Sequence, residues 1–126
     1  MPQRKRFRIL VVDDDAANRE MLDEILRDAG YRVFTAPDGP NALFITEANP
    51  PDVAFVDWIM LTMDGQAVAR ALKRRIPTLP VVAMSGSVPD MGALGDIGVD
   101  ATLPKPFTID DLLGLTNRLC HAARRN

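Results

Sequence analysis

The sequence predicts an α/β fold, a parallel sheet covered by helices on both faces, and three observations carry that expectation. Short apolar runs recur without alternation of polar and apolar residues: Ile9-Leu10-Val11-Val12, Val53-Ala54-Phe55-Val56 and Val81-Val82-Ala83-Met84. Such runs suit strands buried on both faces, as in a parallel sheet between helical layers. Stretches with apolar residues at helical spacing lie between them, so strands and helices alternate along the chain. Each run also stops at a residue with chemistry: Asp13-Asp14-Asp15, Asp57 and Ser85. The carboxyl edge is where open α/β sheets place their ligands.

After the first run, Met21, Leu22, Ile25 and Leu26 share one face of a predicted helix that closes at Ala29-Gly30. Arg32-Val33-Phe34-Thr35 mixes polar with apolar residues and reads as a strand nearer an edge. Asp38-Gly39-Pro40 starts the next helix, with Asp38 as the cap and Pro40 in the first turn. That helix carries Ala42, Leu43, Ile45 and Ala48 and is stopped by Asn49-Pro50-Pro51. The central strand ends at Asp57. Asp64 then caps a helix from about Gln66 to Arg75 with Val68, Ala71 and Leu72 inward, and Pro77 and Pro80 end it.

The run Val81-Val82-Ala83-Met84 then makes the fourth strand. Pro89 to Val99 is predicted to be a short helix weakened by Gly92, Gly95 and Gly98, each costing ~1 kcal/mol relative to alanine. Ala101-Thr102-Leu103 is a brief fifth strand leading into Pro104-Lys105-Pro106-Phe107. Thr108-Ile109-Asp110-Asp111 reads as a capping box. The last helix should turn Ile109, Leu112, Leu113, Thr116, Leu119 and Cys120 to the core. Right-handed crossovers limit the strand orders open to five strands and five helices. The expectation is a single domain over residues 1–126 with its core at about 8–120.

Bulk properties bound the function. Hydrophobic residues at 47% and charged residues at 25% fit a soluble globular chain, and a net charge of -2 gives no case for direct nucleic-acid binding. Arg4, Lys5, Arg6 and Arg8 at the start, and Arg118, Arg124 and Arg125 at the end, read as solvated termini. One cysteine, Cys120, excludes an internal disulfide and suits a reducing compartment. The sole histidine, His121, cannot build a metal cluster or a serine-type triad and reads as a surface residue. No run approaches the ~20 apolar residues of a membrane helix, and no signal peptide is visible. The expectation is a cytoplasmic protein with no membrane partner.

Asp13, Asp14, Asp57, Ser85 and Lys105 all fall just past the carboxyl ends of strands. If the first and third strands are neighbours, their backbones lie ~4.8 Å apart and two or three carboxylates share one pocket. Like charges so close raise each other's pKa or require a cation. An oxygen-only site without histidine favours a hard ion such as Mg²⁺.

These residues, taken in order, resemble the receiver domain of bacterial two-component response regulators from Ile9 to about Leu119. The matching pieces are Ile9-Leu10-Val11-Val12-Asp13-Asp14, the strand from Pro51-Asp52 to Asp57, Met60, Met63-Asp64-Gly65, Ser85 and Lys105-Pro106-Phe107. The resemblance implies a three-layer α/β/α sandwich of flavodoxin-like type with strand order 2-1-3-4-5. It implies phosphorylation of Asp57 by a sensor histidine kinase or a histidine phosphotransfer protein. Asp13, Asp14, Asp57 and the backbone carbonyl of Ile59 would hold Mg²⁺. Ser85 and Lys105 would contact the phosphoryl group, and the bond before Pro106 would be cis. The output surface would include Pro89, Gly92, Gly95 and Thr102 and serve a downstream protein unknown from the sequence. Such a domain is a self-modifying switch rather than an enzyme acting on a separate substrate.

The chain departs from the family pattern at four places. Leu61 stands where proline is usual, and Gly86 where alanine is commoner. Ile59 offers only its backbone to a metal, and its side chain could shield the acyl phosphate from water. Thr102 replaces the usual inward-turning tyrosine or phenylalanine, so an aromatic-switch mechanism does not carry over. Two rival readings are a degenerate receiver serving as a protein-binding scaffold and a Mg²⁺-dependent phosphatase with an aspartate nucleophile. The phosphatase class typically has a second aspartate two residues after the nucleophile, where this chain has Ile59. No DNA-binding or catalytic segment follows the domain in this sequence, which leaves both a stand-alone and an excised receiver open.

Overall fold

The computed structural model describes residues 6–60, 64–86 and 98–124. Its elements are β1 (Arg8–Val12), α1 (Ala16–Asp28), β2 (Arg32–Ala36), α2 (Gly39–Ala48), β3 (Val53–Asp57), α3 (Gly65–Arg75), β4 (Val81–Ser85), β5 (Ala101–Pro104) and α4 (Ile109–Arg124). The five strands form one parallel sheet in the order β2-β1-β3-β4-β5. The helix expected over Pro89–Val99 lies outside the described residues. No described helix is long and apolar enough to cross a membrane.

The continuous apolar runs are explained by the two hydrophobic clusters they feed. Successive side chains of a strand point to opposite faces. Leu10, Val12, Ala54, Val56 and Ala83 therefore join residues of α2 and α3 in one cluster. Ile9, Val11, Val53, Phe55, Val82 and Met84 join residues of α1 and α4 in the other. Three layers follow. β3 is buried along its whole length, and truncating its fully buried Phe55 to alanine would cost about 3–5 kcal/mol.

Caps set where the helices begin. Asp38 accepts the Asn41 amide and Asp64 accepts the Gln66 amide, as the sequence predicts. Thr108 and Asp111 form the reciprocal capping box, with bonds of 3.0 and 3.3 Å. The α1 cap is Asp15, which accepts the Ala17 amide at 2.9 Å.

Several inward expectations need correction. Ile109 is 55% exposed because it opens α4, before the helix settles on the sheet. Met21 is 44% exposed at the margin of its helix face. Ala48 is exposed at the last turn of α2. Conversely, Ala69 and Leu115 are buried. Thr46 and Thr116 bury their hydroxyls by donating to the carbonyls of Ala42 and Leu112, each at 2.7 Å.

Re-entry of the chain before β5 is tied down by one carboxylate. Asp100 Oδ2 accepts the Val81 amide and the Lys73 ammonium, both at 2.9 Å, while the Asp100 amide donates to the Val81 carbonyl. Gly98, at φ +90°, lies beside the Lys73 stem, and a Cβ there would be 3.3 Å from the Lys73 Cε.

Candidate functional site

Sheet order and register assemble the site. The order reverses direction at β1 and β3, so the crevice beyond their carboxyl ends is the expected ligand position. Val12 pairs with Val56, which sets the next residues, Asp13 and Asp57, side by side. Asp57 pairs with Met84, placing Ser85 one step further, and Ser85 pairs with Pro104, placing Lys105 one step beyond that. The Lys105 amide donates to the Ser85 carbonyl at 2.7 Å. The four chemical residues thus come from four strands that end at one level.

Carboxylate oxygens of Asp13, Asp14 and Asp57 lie within 4.8 Å of one another. Asp13 is fully buried, Asp57 is 6% exposed and Ser85 is 3% exposed. The Lys105 ammonium donates to Asp57 Oδ1 at 3.2 Å. Burial pushes the Asp13 carboxyl up from its ordinary value of 3.8, and the Asp57 and Asp14 charges push the same way. The Asp15 amide, bonded to Asp13 Oδ1 at 2.9 Å, and the Lys105 charge oppose them. Asp13 Oδ2 is buried and has no hydrogen-bond partner. An oxygen-only donor set with one buried, orphaned carboxylate oxygen fits a hard divalent cation.

The loop after Asp57 is pinned on both sides. The Trp58 amide donates to the Met84 carbonyl at 2.8 Å, its carbonyl accepts from the Gly65 amide at 3.3 Å, and Ile59 bridges antiparallel to Asp64. The Ile59 side chain is 70% exposed. The bond between Lys105 and Pro106 is cis. Thr102 is half-buried on β5 and pairs with Ala83. Pro89, Gly92 and Gly95 lie outside the described residues, as does Leu61. Beside the acidic cluster, Asp13, Met21, Leu22, Met84, Lys105 and Phe107 help to line a cavity of about 280 Å³, which accounts for the exposure of Met21.

Two contributors escaped the sequence reading. Asp15 both caps α1 and hands its amide to Asp13. Its place immediately before Ala16 was an available N-cap signal. Arg19 donates to the Asp13 carbonyl at 2.8 Å, and nothing in the one-dimensional pattern marks it.

A parallel sheet with this order, and an acidic trio facing a lysine at its carboxyl edge, is the arrangement of a receiver-type domain. The chain belongs to the response regulator receiver domain family, whose sequence model matches residues 9–117. It is 43% identical over 108 residues to the response regulator MprA of Mycobacterium sp. (strain KMS), a match covering 84% of this chain and 47% of that protein. The corresponding protein of Mycobacterium avium (strain 104) is 42% identical over 109 residues, covering 85% and 48%. The chain spans about half the length of these curated relatives. Among solved structures, the chemotaxis protein CheY4 of Vibrio cholerae superposes with a TM-score of 0.86 at 28% identity, over 91% of this chain and 99% of that one. NtrX of Brucella abortus gives 0.87 at 30% identity, over 95% of this chain and 28% of that one.

Proposed function

We propose that this domain is a phosphorylation-controlled switch in which Asp57 accepts a phosphoryl group from a phosphohistidine of a sensor histidine kinase or phosphotransfer protein. One observation carries the reading: Asp57 lies at once within an acidic trio and 3.2 Å from the Lys105 ammonium. A carboxylate oxygen is a competent nucleophile. The P–O bond to Asp57 forms as the P–N bond of the donor breaks, and the imidazole nitrogen keeps the departing electron pair. Such transfer needs mainly positioning and charge neutralisation.

Asp13, Asp14, Asp57 and the Ile59 carbonyl would hold Mg²⁺, which when bound supplies positive charge for the phosphoryl oxygens. Lys105 supplies a second positive charge from across the site. The Ser85 hydroxyl would donate a charge-assisted hydrogen bond worth ~1.5–3 kcal/mol to a phosphoryl oxygen. That bond exists only with phosphate present, which is the differential interaction a two-state switch requires. The apolar Ile59 side chain would slow attack of water on the acyl phosphate, so gain and hydrolytic loss both occur on the domain itself. Residues 8–120 act as one cytoplasmic receiver domain, with the Pro89–Gly98 stretch and Thr102 as the surface read by a downstream protein. A scaffold needs none of this chemistry, whereas the acidic trio, Ser85 and Lys105 all meet at one sheet edge.

The deciding experiment is incubation with a small phosphodonor and Mg²⁺ followed by intact mass measurement. The wild type should gain one phosphoryl group, and Asp57→Asn should fold and gain none. Labelling of Asp57→Asn at the wild-type rate would remove Asp57 from the acceptor role.

A further inference from the structure

Gly65 opens α3 where a side chain has no room. A Cβ built there would run into the Asp57 carbonyl oxygen, and would lie 2.7 Å from the Trp58 Cα and 2.9 Å from the Trp58 carbonyl oxygen. All three are backbone atoms, so no rotamer change relieves the overlap. Gly65 is not among the glycines with positive φ, which are Gly30 and Gly98 among the described residues. Space, not backbone conformation, is what this glycine provides.

The close approach is stitched in place. The Gly65 amide donates to the Trp58 carbonyl at 3.3 Å, and the preceding residue, Asp64, bridges to Ile59. On the other side, the Trp58 amide is bonded to β4 through the Met84 carbonyl at 2.8 Å. The stretch Asp57-Trp58-Ile59 is therefore gripped between β4 and the first residue of α3. The sequence from Trp58 to Asp64 holds no proline to fix a φ angle. The placement of Trp58 and Ile59 depends on that grip.

We infer that Gly65 is a positioning residue for the cation site: by seating α3 on the Asp57–Trp58 backbone it sets the directions of the Asp57 carboxylate and the Ile59 carbonyl. The inference rests on the reading of those groups as Mg²⁺ ligands. Outer groups that orient metal ligands commonly govern affinity although they touch no metal. Any group that stabilises the bound geometry must in turn be stabilised by binding, by the same factor.

The test is Mg²⁺ titration of Gly65→Ala beside Leu72→Ala, followed by calorimetry and by the emission of Trp58, with circular dichroism to verify folding. Gly65→Ala should bind Mg²⁺ about tenfold or more weakly. Leu72→Ala loosens the same helix from the core and should keep the wild-type affinity. In the wild type, saturating Mg²⁺ should slow amide exchange at Gly65, a measurement that stands even if Gly65→Ala does not fold. A folded Gly65→Ala with wild-type affinity, an equal loss in Leu72→Ala, or an unaltered Gly65 amide would each overturn the inference. Absence of Mg²⁺ binding by the wild type would instead defeat the cation-site reading on which it rests.

Discussion

Lys105 and Asp57 are 48 positions apart in the chain, yet the ammonium of one lies 3.2 Å from a carboxylate oxygen of the other. β4 stands between their strands, so the lysine reaches across the end of a neighbour to meet the acid. With the carboxylate side chain 9% exposed and the lysine 30% exposed, water screens the pair only in part.

Lys105→Met should therefore slow labelling of Asp57 by a small phosphodonor by roughly tenfold or more, the loss expected for one hydrogen bond to a charged group. Mg²⁺ binding, which depends on the carboxylates, should survive. The time course of mass gain checks the first point and calorimetry the second. An unchanged labelling rate would show that the lysine is a bystander.

Asp13 carries a cost that a cation would offset. Its folded pKa lies above the ordinary 3.8, with burial as the largest cause. Its contribution to stability is thus full below the unfolded value and is lost as pH rises through the folded one. Once ionised, the partly orphaned carboxylate opposes folding. Asp13→Asn should stabilise the metal-free domain by on the order of 1 kcal/mol, a rise of a few degrees in Tm. Added MgCl₂ should raise the Tm of the wild type more than that of the variant. Equal response of both to Mg²⁺ would exclude Asp13 as a ligand.

Cys120 should be chemically silent in the native state. Burial, aided by the Asp52 charge, pushes its thiol up to about 12. The folded chain then keeps a proton that the unfolded chain loses near ~8.5. Stability is unaffected below that pH and declines as pH rises towards the folded value. An aromatic disulfide reagent at pH 8 should label the protein only at its unfolding rate, and rapidly in denaturant. Immediate labelling of the native protein would contradict the burial.

The fold was legible because parallel strands leave a one-dimensional trace. Val53–Val56 must be apolar at every position when both faces are covered, and Arg32–Thr35 mixes its residues because β2 is an edge. Asp38 and Asp64 showed as caps because capping is local. The acid cluster was legible for a related reason, since its members end a strand or lie within two residues of a strand's end. What stayed hidden depends on distance across the fold. Arg19 reaches Asp13 by the turn of a helix, and Gly65 matters because of backbone atoms seven and eight positions earlier. Met21 and Ile109 have the right spacing for the core, but Met21 faces the cavity beside the acidic cluster and Ile109 opens its helix before that helix settles on the sheet. Hydrophobic spacing cannot register that.

Thr102 bears on how phosphorylation is read out. It pairs with Ala83 on β5 and is half-buried, and threonine offers too little area to drive a change by burying itself. Phosphate contact with Ser85 should act through Gly86 on the Pro89–Gly98 stretch. Amide exchange with and without a phosphoryl mimic should differ most there and little at Thr102. A dominant response on another face, with that stretch unaltered, would refute this route.

The double bond-acceptor role of Asp100 sets a boundary on any such response. Its carboxylate ties the chain to the start of β4 and to α3 just before β5 begins, while Ser85 marks the other end of the interval. Along the chain, a displacement starting at Ser85 meets an anchored residue at Asp100 before β5 begins. β5 is coupled to the site at its carboxyl end, through the Ser85 carbonyl that accepts the Lys105 amide and through the Lys105 ammonium on Asp57. Asp100→Ala would remove that anchor, and amide exchange in β5 should then respond more strongly to a phosphoryl mimic than in the wild type.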